Sequence, residues 1–157
     1  MTGVFAGSFC PITKGHVDVI ERAAKTVDKL FVVVGVNVEK RYAISAQQRV
    51  DLVKRALKHI PNVEVAQHDG LTTDFCKEVG ATVMIKAIRN ATDLQSVLDL
   101  CDASENLWDG QIVFVVGDKN YRYVSSSLVR ELAHFRQDIS PYVPSECAEE
   151  IQKLLEN

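Results

Sequence analysis

The chain has 157 residues with a formal net charge of −3, enough for one sizeable core and too little for two ordinary domains. Its balance of apolar and charged residues excludes a disordered chain, and no apolar run approaches the roughly 18 residues of a membrane span. The slight acidity argues against broad binding to nucleic acid while leaving room for a local basic pocket.

The segment Gly3 to Ala6 opens the chain as a strand, so no charged-then-apolar secretory leader is expected. Val17, Ile20, Ala24 and Val27 then share one helical face. Leu30 to Val36 is unbroken and β-branched, the pattern of a strand covered on both faces. Ser45 with Gln48 has capping-box spacing and starts a helix that carries Val50, Val53, Leu57 and Ile60 on one face. Val63 to Ala66, Thr82 to Ile85 and Ile112 to Val116 repeat the strand type, and Thr92 with Gln95 is read as a second capping box. After Pro144, early Glu146, Glu149 and Glu150 and late Lys153 match the dipole of a last helix.

Strands alternating with helices imply right-handed crossovers and a parallel sheet. The expected fold class is α/β, a Rossmann-like five-stranded parallel sheet with helices on both faces. It forms a single domain over 1–157, with a helical C-terminal segment from about 139. Cys10, Cys76, Cys101 and Cys147 are far apart with no C-x-x-C pair, so they read as reduced cytosolic thiols and not as disulfide or zinc ligands.

Ligands of such sheets bind beyond the carboxyl ends of the strands, which directs attention to the turns. The first turn is Gly7-Ser8-Phe9-Cys10-Pro11-Ile12-Thr13-Lys14-Gly15-His16 and runs straight into a helix, where free N–H groups and the dipole favour phosphate. Gly15 lets a ligand or another backbone come close. Taken alone, the turn is equally compatible with an ordinary strand-to-helix connection capped by a histidine. The last turn reads Tyr121-Arg122-Tyr123-Val124-Ser125-Ser126-Ser127-Leu128-Val129-Arg130-Glu131, and alone it could be an over-provided N-cap.

The first of these segments resembles the T/H-x-G-H signature of the nucleotidyltransferases, and the second resembles their I-S-S-S/T phosphate loop. Within that superfamily the chain is similar, almost end to end, to the bacterial phosphopantetheine adenylyltransferase family. The similarity includes G-S-F-x-P-I-T-x-G-H, Lys40-Arg41 with Arg49, Ala81 to Ile85, and S-S-S-L-V-R-E. It implies adenylyl transfer from ATP to 4′-phosphopantetheine, giving dephospho-coenzyme A and pyrophosphate, by a cytoplasmic homohexamer that uses Mg²⁺. Neither nucleic acid nor membrane is implied as a partner.

Carried over by position, the resemblance makes His16 and Lys40 the catalytic residues. Ser8, Phe9, His16, Ala87, Ile88, Arg89, Tyr121, Arg122, Tyr123, Val124, Ser125, Ser126 and Ser127 would bind ATP. Ser8, Lys40, Thr72 and Lys86 would bind the acceptor. No side chain is assigned to metal. Without the resemblance, Lys40 and Arg41 read as a solvated charge pair, Lys86 as a snorkelling lysine at a strand end, and Arg89 as a surface partner of Asp93. His59, His68 and His134 match nothing in the family pattern.

The chemistry suits such a set. A phosphate monoester is already anionic and needs no general base, so alignment and charge neutralisation remain as the protein's tasks. Several positions depart from the family: Cys10 for Asp, Lys14 for Asn, Lys86 for Arg, Ala87 for Gly, Val97 for Glu and Ala103-Ser104 for Met-Asn. Cys10 beside a helix N-terminus is either a reactive thiol or a small buried apolar residue. The competing readings are a nucleotidyltransferase acting on nicotinamide mononucleotide or glycerol phosphate, a flavodoxin-like module without transfer chemistry, and a non-catalytic nucleotide-binding relative.

Overall fold

The computed structural model describes residues 1–37 and 39–156. Its elements run β1 (Thr2–Gly7), α1 (Lys14–Ala24), β2 (Lys29–Gly35), α2 (Ala46–Ala56), β3 (Val63–His68), α3 (Thr72–Glu78), β4 (Val83–Ile88), α4 (Ala91–Glu105), β5 (Gln111–Val116), α5 (Ser126–His134) and α6 (Ala148–Glu156). The strands form one parallel sheet in the order β3-β2-β1-β4-β5. This is the five-stranded Rossmann-like arrangement that the alternating pattern requires.

Alternation along each strand sends neighbouring side chains to opposite faces. Phe5, Val32 and Ile85 join a large core under α1, α2, α5 and α6, whereas Val4, Phe31, Val33 and Met84 meet Phe75, Cys76 and Trp108 on the other face. The central strands β2, β1 and β4 are therefore covered on both faces, which is why they read as unbroken apolar runs, whereas β3 and β5 at the edges are more exposed. The four cysteines are buried and free. Among the described residues no helix is long and apolar enough to cross a membrane.

Helix starts follow local hydrogen bonding. Ser45 and Gln48 make the expected capping box at α2. At α4 the structure corrects the sequence reading: the cap is Asn90, whose side chain accepts from the Asp93 N–H at 2.8 Å, so Thr92 and Gln95 lie inside the helix. An Asn two residues upstream offers its oxygen to the same kind of orphan N–H and wins the position. Lys86 does not end its strand either; β4 continues to Ile88.

The strand order reverses between β1 and β4, whose connections leave in opposite directions. That leaves a crevice beyond their carboxyl ends.

Candidate active site

A cleft of about 370 Å³ occupies that crevice. Ala6 and Gly7 from β1, Lys86 and Ala87 from β4, the start of α1 and the start of α5 form its walls.

The first turn is built to present His16. Phe9 has φ 47°, a left-handed conformation that is costly for a bulky side chain, and its ring is buried between Phe5 at 6.2 Å and the edge-on imidazole of His16 at 5.0 Å. Thr13 caps α1: its Oγ1 accepts the His16 N–H at 3.2 Å, while the Thr13 N–H donates to His16 Nδ1 at 3.0 Å. This is a capping box with histidine in the place usually held by Glu or Gln. Burial, and secondarily the charge of Arg89, push the His16 pKa down to about 4. The ring is neutral at physiological pH. With Nδ1 accepting, its proton sits on Nε2 and can be donated.

The second turn is docked against the first, and its three serines divide the work. Ser125 Oγ caps α5 by accepting the Leu128 N–H at 3.1 Å. Ser126 Oγ donates to the Pro11 carbonyl at 2.7 Å. Ser127 Oγ accepts from Arg130 Nη2 at 3.2 Å, and Arg130 Nη1 holds the Cys10 carbonyl at 2.6 Å. Gly15 explains how close the turns come: a Cβ there would lie 3.3 Å from the Tyr121 carbonyl oxygen and 3.4 Å from that of Val124. The glycine admits another backbone at this point.

Of the expected residues, His16, Lys86, Ala87, Arg89, Tyr121, Arg122, Val124, Ser125, Ser126 and Ser127 all line the cleft. Ser8 is exposed at the exit of β1, and Phe9 lies beneath the turn as a brace for His16. Ile88 and the exposed Tyr123 stand outside the lining. Lys40 is exposed in the loop between β2 and α2, and Thr72 is the first residue of α3; neither reaches the cleft wall. Cys10 is 4% exposed, which favours the small buried apolar reading over the reactive thiol.

Lys86 is half-buried and, among the described residues, has no carboxylate paired with it; burial lowers its pKa. Arg89 does contact Asp93, with Nε 3.7 Å from the carboxylate, yet it still faces the cleft. The sequence reading missed Asp18 and Gly117, and had Thr13 only as a letter of the T-x-G-H signature without a role. Asp18 Oδ2 accepts the Asp118 N–H at 2.6 Å and Oδ1 accepts from Arg22 Nε at 3.0 Å, so α1 steers the chain leaving β5. Position i+3 from the cleft-lining Gly15 was the available signal for Asp18.

The arrangement offers a neutral N–H donor, three cationic side chains and two helix N-termini around one cavity, a combination suited to a polyphosphate. A family model described as cytidylyltransferase-like matches residues 4–132. Phosphopantetheine adenylyltransferase of Finegoldia magna is 39% identical over 96% of this chain and 93% of its own length. That of Clostridium perfringens is 38% identical over 98% and 94%. A bifunctional NMN adenylyltransferase/ADP ribose pyrophosphatase from Francisella tularensis superposes with a TM-score of 0.73 at 16% identity, over 99% of this chain and 50% of the larger one, a likeness of fold. With two signature turns meeting at one cleft and near-full-length relatives of a single kind, the chain belongs to the phosphopantetheine adenylyltransferase family of the cytidylyltransferase-like nucleotidyltransferases.

Proposed function

We propose that the cleft transfers the adenylyl group of ATP to 4′-phosphopantetheine, releasing pyrophosphate and forming dephospho-coenzyme A. The observation that carries this is the docking of the first turn and the start of α5, through Ser126 and Arg130, around the half-buried Lys86, which pairs with no carboxylate among the described residues.

The acceptor phosphate attacks the α-phosphorus in line. One P–O bond forms there, the bond to the β-phosphate bridging oxygen breaks, and pyrophosphate leaves with that electron pair. No proton needs to be removed from the nucleophile. Lys86 balances the charge of the acceptor phosphate, with Lys40 brought in from its loop. His16 donates Nε2–H to an α-phosphate oxygen as charge grows there. The start of α5 steadies the departing pyrophosphate through its N–H groups and the hydroxyl protons that Ser125 and Ser127 have not committed.

Among the described residues no group of three or more His, Cys, Asp or Glu side chains could cage a metal. Mg²⁺ fits this donor set as an ion carried in on the triphosphate, with Asp93 a cleft carboxylate available to its water shell. When bound, it would share the neutralisation of triphosphate charge. The same reading carries a cytoplasmic setting and a homohexamer. The edge strand β5 exposes Val113, Phe114 and Val116, and α4 exposes Leu98 and Leu100, apolar surface that self-association would cover. A sizing measurement tests that assembly.

The activity is tested by incubating the protein with ATP, Mg²⁺ and 4′-phosphopantetheine while following pyrophosphate and dephospho-coenzyme A. Turnover is the expected result. A folded, ATP-binding sample without turnover would overturn it. Arms with nicotinamide mononucleotide, and with glycerol phosphate plus cytidine triphosphate, test other acceptors.

A further inference from the structure

Beneath the first turn lies a buried cation with no counterion among the described residues. Arg49, in α2, is 1% exposed. Its Nη1 donates both protons, one to the Ser8 carbonyl at 2.6 Å and one to the Gly35 carbonyl at 3.0 Å. Its Cζ lies 4.0 Å from the centre of the Tyr42 ring, and its Nε has no hydrogen-bond partner among the described residues. Burying a guanidinium against carbonyl dipoles and an aromatic face alone is costly, and an apolar side chain would fill the same volume more cheaply. The charge is kept for what it holds.

What it holds are the ends of two neighbouring strands. Gly7 pairs with Val34 in the sheet, and the chain leaves β1 at Ser8 and β2 at Gly35. The first turn departs from one end and the Lys40 loop from the other. Drawing the Ser8 carbonyl toward Arg49 turns the Phe9 N–H the opposite way, because the peptide between them is planar. On the other side, the Tyr42 hydroxyl accepts the Asn37 N–H at 3.1 Å, and the Asn37 carbonyl accepts the Lys40 N–H at 3.0 Å. A continuous chain of contacts therefore runs from Ser8 through Arg49, Tyr42 and Asn37 to Lys40.

We propose that Arg49 is a positioning residue that couples the first turn to the Lys40 loop, so that the groups facing the nucleotide and those facing the acceptor phosphate keep one relative placement. This rests on the adenylyl-transfer reading of the cleft. It assigns Arg49 no contact with either substrate.

The test uses Arg49→Met, Arg49→Lys and Tyr42→Phe with two readouts: steady-state turnover, and amide hydrogen exchange of segments 3–16 and 35–44 in the substrate-free protein. Arg49→Met should lower kcat by about a hundredfold, the scale of a 1 Å misplacement, and speed exchange in both segments together by about tenfold or more. Arg49→Lys keeps the charge and loses the fork, so it should fall between wild type and Arg49→Met. Tyr42→Phe keeps the ring over the guanidinium and loses only the Asn37 bond. It should speed exchange in 35–44 alone and raise KM for 4′-phosphopantetheine more than KM for ATP.

Exchange that rises uniformly across the sheet, or in neither segment, would overturn the coupling and leave Arg49 as an ordinary core residue. If Arg49→Met does not fold, Arg49→Lys and Tyr42→Phe decide by the same criteria. Absence of turnover in the wild-type protein counts against the adenylyl-transfer reading, and the exchange pattern still decides the coupling.

Discussion

The backbone N–H of Thr13 donates to Nδ1 of His16 at 3.0 Å, and the Thr13 hydroxyl lies 3.1 Å from the same nitrogen. Helix capping and tautomer selection are thus one event. The interaction that starts α1 also fixes which imidazole nitrogen carries the proton, and Phe9 holds the ring edge-on at 5.0 Å. A histidine prepared in this way acts by donating one hydrogen bond. It is poorly suited to shuttling protons, because protonation would cost it Nδ1 as an acceptor.

His16→Ala should therefore lower kcat by about a hundred- to a thousandfold, the usual cost of losing one donor to a transition state. KM for ATP should change far less. Steady-state kinetics with both substrates check this; equal losses in kcat and in ATP affinity would show that His16 contributes ground-state binding only.

The depressed pKa of His16 also predicts a pH effect on stability. The folded ring titrates at about 4 and the unfolded ring near 6.5, so between these values the unfolded chain binds a proton that the folded chain refuses. His16 thus costs the fold nothing above about pH 6.5 and destabilises it increasingly as pH falls toward 4. With the ring half-buried, the loss reaches on the order of 2–3 kcal/mol. Urea unfolding of wild type and His16→Asn from pH 7 to pH 4 measures it. The variant should lose less stability on acidification, and parallel curves would mean that the ring is not desolvated.

The three serines should separate by mutation. Ser126→Ala leaves the Pro11 carbonyl without its donor and frees the first turn from α5, which should cost about 1 kcal/mol of stability and between about ten- and a hundredfold in kcat. Ser125→Ala removes a helix cap, also about 1 kcal/mol. Ser127→Ala leaves the cap and the contact to Pro11 intact, so its stability loss should be the smallest of the three. Thermal unfolding beside single-turnover kinetics distinguishes them.

The sheet was legible because its central strands are apolar on both faces, and β-branched runs such as Leu30 to Val34 admit few other readings. The ends of elements were less so. Asn90 displaced Thr92 as the cap of α4 because two side chains competed for neighbouring N–H groups, and sequence spacing alone does not rank them. Within the site, the two turns were visible as motifs, but the tasks of their side chains were not. Nothing in the string Ser-Ser-Ser says that the middle hydroxyl binds the opposite turn, since Pro11 lies 115 residues away. The Thr13 cap escaped notice for a different reason: its third-position partner is histidine where the usual pattern has Glu or Gln.

Lys86 yields the last prediction. It lines the cleft half-buried with no paired carboxylate among the described residues, and burial holds its pKa below that of an ordinary lysine. In the free enzyme its charge is therefore lost earlier as pH rises. Since kcat/KM reports the free enzyme, kcat/KM for 4′-phosphopantetheine should fall on the alkaline side at a pH below the usual lysine range. Lys86→Arg stays charged throughout and should remove that limb, and its fork should hold the acceptor phosphate at least as well. Lys86→Met should lose affinity for the acceptor about tenfold or more at neutral pH and show no alkaline limb from this residue. A pH profile of kcat/KM for the three proteins checks all of this. An alkaline limb that persists unchanged in Lys86→Arg would assign it to another group and remove Lys86 from the acceptor site.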